Sequence, residues 1–232
     1  MKHIEDITNH YGPILAKKAL ELGAIRLQVQ DPFTWASGYR MPIYNDNRRL
    51  LAESGARKLV SEAFAAMLES LDFDPDNIAG TATAGIPHAT TLADRLEKPL
   101  SYVRSSGKDH GLGQQIEGLG QGGTYAGAKV LLIEDLISTG GSSIKAVQAI
   151  AKAEGVCPYT LAIFTYGFAT AQEAFASLDP ACTFFTILDY DVMVASAQET
   201  GYVNSEEARL LTSWREDPFG WGEKQGFPKV DR

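Results

Sequence analysis

The sequence predicts an α/β protein: a mainly parallel, twisted sheet flanked by helices, with a small cap formed by the first fifty residues. Three observations predict it. Short apolar runs near residues 78, 101, 131, 162 and 185 have the length and composition of buried strands. Segments with helical spacing separate them, and such alternation builds parallel sheets with helices on both faces. The runs near 78 and 131 each lead into a turn of small residues that opens a helix, which is where open α/β sheets bind ligands.

The 232 residues fit one domain, read as residues 1–232, with a cap region 1–50, a loop 104–128 and a tail 216–232. A formal charge of −8 argues against general nucleic-acid binding. Residues 1–6 contain no apolar h-region, and no run of eighteen apolar residues exists, so a cytoplasmic protein without a membrane span is expected. Cys157 and Cys182 lie in apolar runs without metal-ligand spacing and are expected as buried, reduced core residues.

In chain order, Leu15, Ala19 and Leu22 predict a helix over residues 11–23, closed by Gly23. Ile25, Leu27 and Val29 predict a short strand. Residues 31–48 combine turn chemistry with aromatic, strand-like pieces and also read as a plain hairpin. Tyr44, Asn45 and Arg48 in this stretch stay open between substrate contact and structural turn. Val60, Phe64, Met67 and Leu71 form the core stripe of a helix over 54–71. A strand near 77–80 runs into the turn 81–87. Pro87 suits the first turn of the helix that follows, and His88 reads as structural. After the strand 100–103, residues 104–128 lack periodicity, as a functional loop does. The match of residues 118–123 to GxGxxG is a decoy, because it precedes a strand and not a helix. Beyond residue 143, a helix closed by Gly155, strands at 160–166 and 183–188, and helices at 170–178, 189–198 and 205–214 complete the alternation.

The most informative stretch is residues 130–143: four branched apolar residues, then Glu134 and Asp135, then Leu136, Ile137, Ser138, Thr139, Gly140, Gly141, Ser142 and Ser143. A Ser/Thr/Gly turn opening a helix offers free N–H groups and the positive end of a helix dipole, which suit a phosphate. The two acids would repel that phosphate and suit hydroxyls or a developing positive charge. The stretch asks for a ligand carrying both a phosphate and a polyhydroxyl part.

These residues resemble the signature of the type I phosphoribosyltransferases, which use 5-phosphoribosyl 1-diphosphate. Residues 33–38, 80–87 and 108–111 further resemble the branch of the family that acts on orotate, in the same order along the chain. The resemblance extends to about residue 215. It implies a transferase that makes orotidine 5′-monophosphate. A purine-base transferase is the alternative, with residues 33–38 and 108–111 counting against it. A non-catalytic regulator on the same fold would need a basic face.

The resemblance also implies roles. Thr139, Gly140, Gly141 and Ser142 would wrap the 5′-phosphate, with Leu136, Ile137 and Ser138 along the same ligand. Glu134 and Asp135 would hold the ribose hydroxyls and stabilise the anomeric carbon. Arg104, Lys108 and His110 would belong to a mobile loop that closes on the diphosphate in the partner subunit of a homodimer. Thr83 and Ala84 would meet the diphosphate through their backbone. Ser138, Tyr44 and Tyr166 would lie toward orotate, Tyr166 standing where some members have an arginine. Mg²⁺ would arrive with the substrate, not in a protein cage. Some members carry lysine at Ala36 and at Ser105 or Ser106, and Arg40 is expected to replace part of that charge.

Overall fold

A computed structural model describes residues 3–105 and 115–231. The chain runs α1 (Ile4–Glu21), β1 (Ile25–Leu27), β2 (Phe33–Thr34), β3 (Arg40–Met41), β4 (Ile43–Asn45), a 3-10 turn (Asn47–Ala52), α2 (Ser54–Ser70), β5 (Asn77–Thr81), α3 (Gly85–Leu96) and β6 (Leu100–Val103). It continues with β7 (Ile116–Glu117), β8 (Lys129–Ile137), α4 (Gly141–Lys152), β9 (Val156–Thr165), α5 (Ala169–Ala176), β10 (Thr183–Asp189), α6 (Tyr190–Glu199), α7 (Ser205–Glu216) and α8 (Trp221–Lys224).

The central sheet has the order β10-β9-β8-β5-β6-β7, and only the pairing of β6 with β7 is antiparallel. From β5 the chain steps outward to β6, then returns to lay β8, β9 and β10 on the other side. The strand order therefore reverses between β5 and β8, which opens a crevice at their carboxyl ends. Side chains alternate across a strand. Leu131 and Ile133 of β8 enter one core with Phe64, Met67 and Leu92, while Val130 and Leu132 enter the opposite core with Val147, Ile150 and Phe175. Burial on both faces explains why β8 reads as an unbroken apolar run.

Most elements match the expected fold, and the differences have physical causes. The first helix starts at Ile4 and not near residue 11, because the His3 N–H is capped by the Asp6 carboxylate at 3.1 Å and Pro13 is accommodated inside the helix. Ile7, Leu15 and Ala19 bury into the main core, so α1 belongs to the body and not to the cap. The ninth strand starts at Val156, four residues before the expected start at 160. An irregularity in its register with β8, between Lys129 and Leu131, accommodates Pro158. Glu154, with φ of 61°, takes the left-handed position after α4 that Gly155 was expected to hold. Inside the 104–128 stretch, β7 is two residues long, too short to leave a periodic signal.

The cap consists of two small antiparallel pairs, β1 with β4 and β2 with β3. Trp35 ties it to the body: its indole N–H is anchored within the cap by the Ile43 carbonyl at 3.0 Å, and its ring lies 5.9 Å from Tyr166 and 6.3 Å from Trp214 of the body. The tail, left open by the sequence between the body and a subunit contact, folds against the cap of its own chain, with Trp221 of α8 buried. His88 is buried, as a structural residue would be.

Candidate active site

The carboxyl ends of β5 and β8 line a cleft of about 400 Å³. Glu134 sits at its floor, nearly excluded from solvent. One carboxylate oxygen accepts from the Thr81 hydroxyl at 2.6 Å and the Asp135 N–H at 3.2 Å; the other accepts from Ser143 at 3.0 Å and Ser142 at 3.2 Å. Four donors fill the ordinary capacity of a carboxylate. Burial pushes the carboxyl of Glu134 upward from the usual range, against the pull of these donors.

Asp135, the next residue on the strand, lines the same cleft. It shares no side-chain hydroxyl donor with Glu134, and Arg48 acts on it only as a nearby charge. Burial raises its pKa as well. The main chain at this point is latched to the cap, because the Asn47 side-chain amide donates to the Asp135 carbonyl at 2.7 Å. The cap thus holds the end of β8 that carries both acids.

Opposite stands the turn after β5. Thr81, Ala82, Thr83 and Ala84 line the cleft, and the Ala82–Thr83 peptide is cis. Gly85 opens α3 so close to β8 that a Cβ would stand 2.5 Å from both the Ile133 carbonyl oxygen and the Thr81 hydroxyl. Only glycine lets the start of this helix press against the strand that carries the acids.

A second cavity of about 530 Å³ adjoins the first. Thr34, Trp35, Ala36, Ser37, Tyr44, Asn45, Ser138 and Tyr166 line it. Leu136 borders both cavities and forms their common wall. The cleft is polar at its floor, and the cavity beside it is walled by flat rings. Tyr44 is held in place by the Arg26 guanidinium, 4.9 Å from its ring centroid, and by Phe33 at 5.7 Å.

A family model of the phosphoribosyl transferase domain matches residues 47–187. The chain is 46% identical over 209 residues to orotate phosphoribosyltransferase of Bacillus caldolyticus, covering 90% of this chain and 98% of that relative. The chain belongs to the orotate phosphoribosyltransferase family. Solved structures agree on the fold. The crystal structure of orotate phosphoribosyltransferase from Aeropyrum pernix superposes with a TM-score of 0.64 at 26% identity, over 82% of this chain and 99% of that one. Leishmania donovani UMP synthase gives a TM-score of 0.71 at 22% identity; the match covers 88% of this chain, which spans 42% of that longer protein.

Placed on this phosphoribosyltransferase, the residues expected from sequence divide as follows. Glu134, Asp135, Leu136, Ser142, Thr83, Ala84 and Arg104 meet in the cleft, and Ser138, Tyr44 and Tyr166 in the adjoining cavity. Thr139, Gly140 and Gly141 form the turn between these groups and line neither space; Thr139 and Gly141 are exposed there. Ile137 is a correction. Its side chain is fully buried in the core with Val147 and Phe175, it lines neither space, and its carbonyl accepts from the Thr165 hydroxyl at 2.8 Å. Lys108 and His110 lie outside the described residues, as does Ser106.

Arg40 is a second correction. It lines neither space, because Asp31 holds its guanidinium at 3.2 Å and the Phe227 ring stands 5.7 Å away. Beside Arg104, a second cation lines the cleft, Lys145 of α4, which sequence reasoning missed. Its signal was available: a lysine one turn into a helix opposes the helix dipole and calls for a reason. Gln115 was also missed. Its side chain donates to the Arg104 carbonyl at 2.9 Å, and its own carbonyl accepts from the Arg104 N–H at 2.9 Å, so the pair closes the base of the loop. Among the described residues no helix is long and apolar enough to cross a membrane.

Proposed function

We propose that this enzyme moves the 5-phosphoribosyl group of 5-phosphoribosyl 1-diphosphate onto orotate, releasing diphosphate and forming orotidine 5′-monophosphate for pyrimidine nucleotide synthesis. One observation carries this reading. A polar cleft with a buried acid pair and a ring-walled cavity share the single wall of Leu136, next to Asp135. A sugar phosphate and a flat base seated on either side of that wall would meet at the anomeric carbon.

The turn from Ser138 to Ser142 and the start of α4 receive the 5′-phosphate through backbone N–H groups. Asp135 faces the ribose and stabilises the positive charge that builds on it as the bond to diphosphate breaks. Glu134 joins when the Ser142 hydroxyl turns to the phosphate and frees one acceptor position on the carboxylate oxygen that Ser143 still holds. Arg104 and Lys145, with Lys108 and His110 of the loop, counter the charge of the leaving diphosphate. These groups stabilise the transition state more than the bound substrates, because the charges they match develop only as the bond breaks. Tyr44, Ser138 and Tyr166 border the base.

The oxygen donors of this cleft, the Asp135 carboxylate and the hydroxyls of Thr83 and Ser105, suit a hard, hydrated cation. Mg²⁺ carried in by the diphosphate would neutralise part of the leaving group's charge. From the family resemblance we infer that the loop following Arg104 serves the partner's site in a homodimer. Two free, buried thiols, Cys157 and Cys182, suit a reducing compartment and support a cytoplasmic location.

The test is the loss of orotate absorbance on adding 5-phosphoribosyl 1-diphosphate and Mg²⁺. Turnover with a purine base and none with orotate would overturn the reading.

A further inference from the structure

The chain after α7 takes no part in this chemistry, and the matched family region ends at residue 187. Yet the tail makes a specific set of contacts, one to α7, one within itself and the rest to one short stretch of the cap. The Trp221 indole N–H donates to the Leu210 carbonyl at 3.1 Å, which fixes α8 to α7. Gly222 presses backbone to backbone on β3: a Cβ there would stand 2.9 Å from the Phe227 carbonyl oxygen and 3.0 Å from that of Arg40. Phe227 stacks on Trp221 with an interplanar angle of 20° and lies under the Arg40 guanidinium. Phe219 meets the Tyr39 ring edge-on at 5.0 Å, and the Lys229 ammonium lies 4.5 Å from the centroid of that ring. The Val230 N–H donates to the Gly38 carbonyl at 3.0 Å.

These contacts converge on residues 38–40. The same turn is closed from within by Trp35 N–H to Tyr39 carbonyl at 3.0 Å and Gly38 N–H to Trp35 carbonyl at 2.9 Å. Its inner side, Thr34 to Ser37, walls the base cavity. The hairpin that carries it, β2 with β3, has two residues on each strand, and so small a pair does not hold its shape alone.

We propose that residues 217–231 form a strap that holds the 34–38 turn in its base-binding shape, with Lys229 and Val230 as positioning residues for the base. The proposal rests on the assignment of orotate to the ring-walled cavity. Freed of the strap, the turn spends part of its time in other shapes, and apparent affinity falls by the fraction lost. The effect belongs to the base alone, because the strap touches nothing that lines the phosphate cleft.

The experiment compares the full chain with a chain ending at Pro228, which keeps the Trp221–Phe227 stack, and with Lys229→Ala and Lys229→Arg. Loss of one hydrogen bond and one cation–ring contact predicts a rise in KM for orotate of about fivefold or more in the shortened chain. KM for 5-phosphoribosyl 1-diphosphate and the melting temperature stay near those of the full chain. Lys229→Ala gives part of the rise, and Lys229→Arg restores the original value. An unchanged KM for orotate in the shortened chain overturns the strap, and so does an equal rise in both KM values. A full-length enzyme that does not use orotate at all overturns the base assignment beneath it.

Discussion

The Thr81 hydroxyl donates to the Glu134 carboxylate at 2.6 Å, joining the ends of β5 and β8 at the point where the strand order reverses. A buried carboxylate at this place stands only because donors surround it, since an ionised group deprived of partners in a dry site is costly. Thr81→Val keeps the side-chain shape and removes the donor. It should cost about 2 kcal/mol of stability, a charged-partner hydrogen bond, read as a lower urea midpoint at unchanged slope. A midpoint equal to wild type would show that Glu134 does not rely on this bond.

Asp135 and Glu134 should separate on mutation. Asp135→Asn removes the charge proposed to face the ribose and should lower turnover about a hundredfold or more, with the circular dichroism spectrum unchanged. Mixing inactive Asp135→Asn with inactive Lys108→Ala tests the loop assignment. Mixed dimers hold one site with neither change if the loop serves the partner, so activity appears that neither variant has alone. Silence after subunit exchange would place the loop over its own site.

His88 should make the protein acid-sensitive. Burial, with the nearby Arg57 charge in support, lowers its pKa from 6.5 to about 4, and both ring nitrogens are buried without a hydrogen-bond partner. The unfolded chain therefore binds the proton first as pH falls. The neutral ring's contribution is complete above pH 6.5 and is lost progressively between 6.5 and 4, by about 2 kcal/mol at pH 5. His88→Leu should remove that part of the slope. Parallel unfolding curves for the two proteins across this window would refute it.

Much of the site was legible in the chain because its elements are local. Strand, acid pair and Ser/Thr/Gly turn lie within fourteen consecutive residues, and the chemistry of a helix start needs no distant partner. The core stripe of α2 was legible for the same reason: Val60, Phe64 and Met67 repeat at helical spacing and all are buried. Residues that act through space were not legible in this way. Asn47 latches the cap to Asp135 across 88 positions, and Thr81 reaches Glu134 across 53. Neither spacing leaves a periodic trace.

The sequence by itself determined the fold class, the alternation of the main strands and helices and the place of the Ser/Thr/Gly turn, because hydrophobic period and turn chemistry are encoded over short windows. Tertiary structure decided the rest. It divided the acids, tying Glu134 to three hydroxyls and leaving Asp135 to face the cleft. It turned Ile137 into the core and removed Arg40 to Asp31 and the tail. It brought Lys145 to the cleft and laid the tail over the turn that walls the ring-lined cavity. The reason is physical: which side chain faces a ligand depends on strand register and on what fills the space opposite, and both are settled only when distant segments pack together.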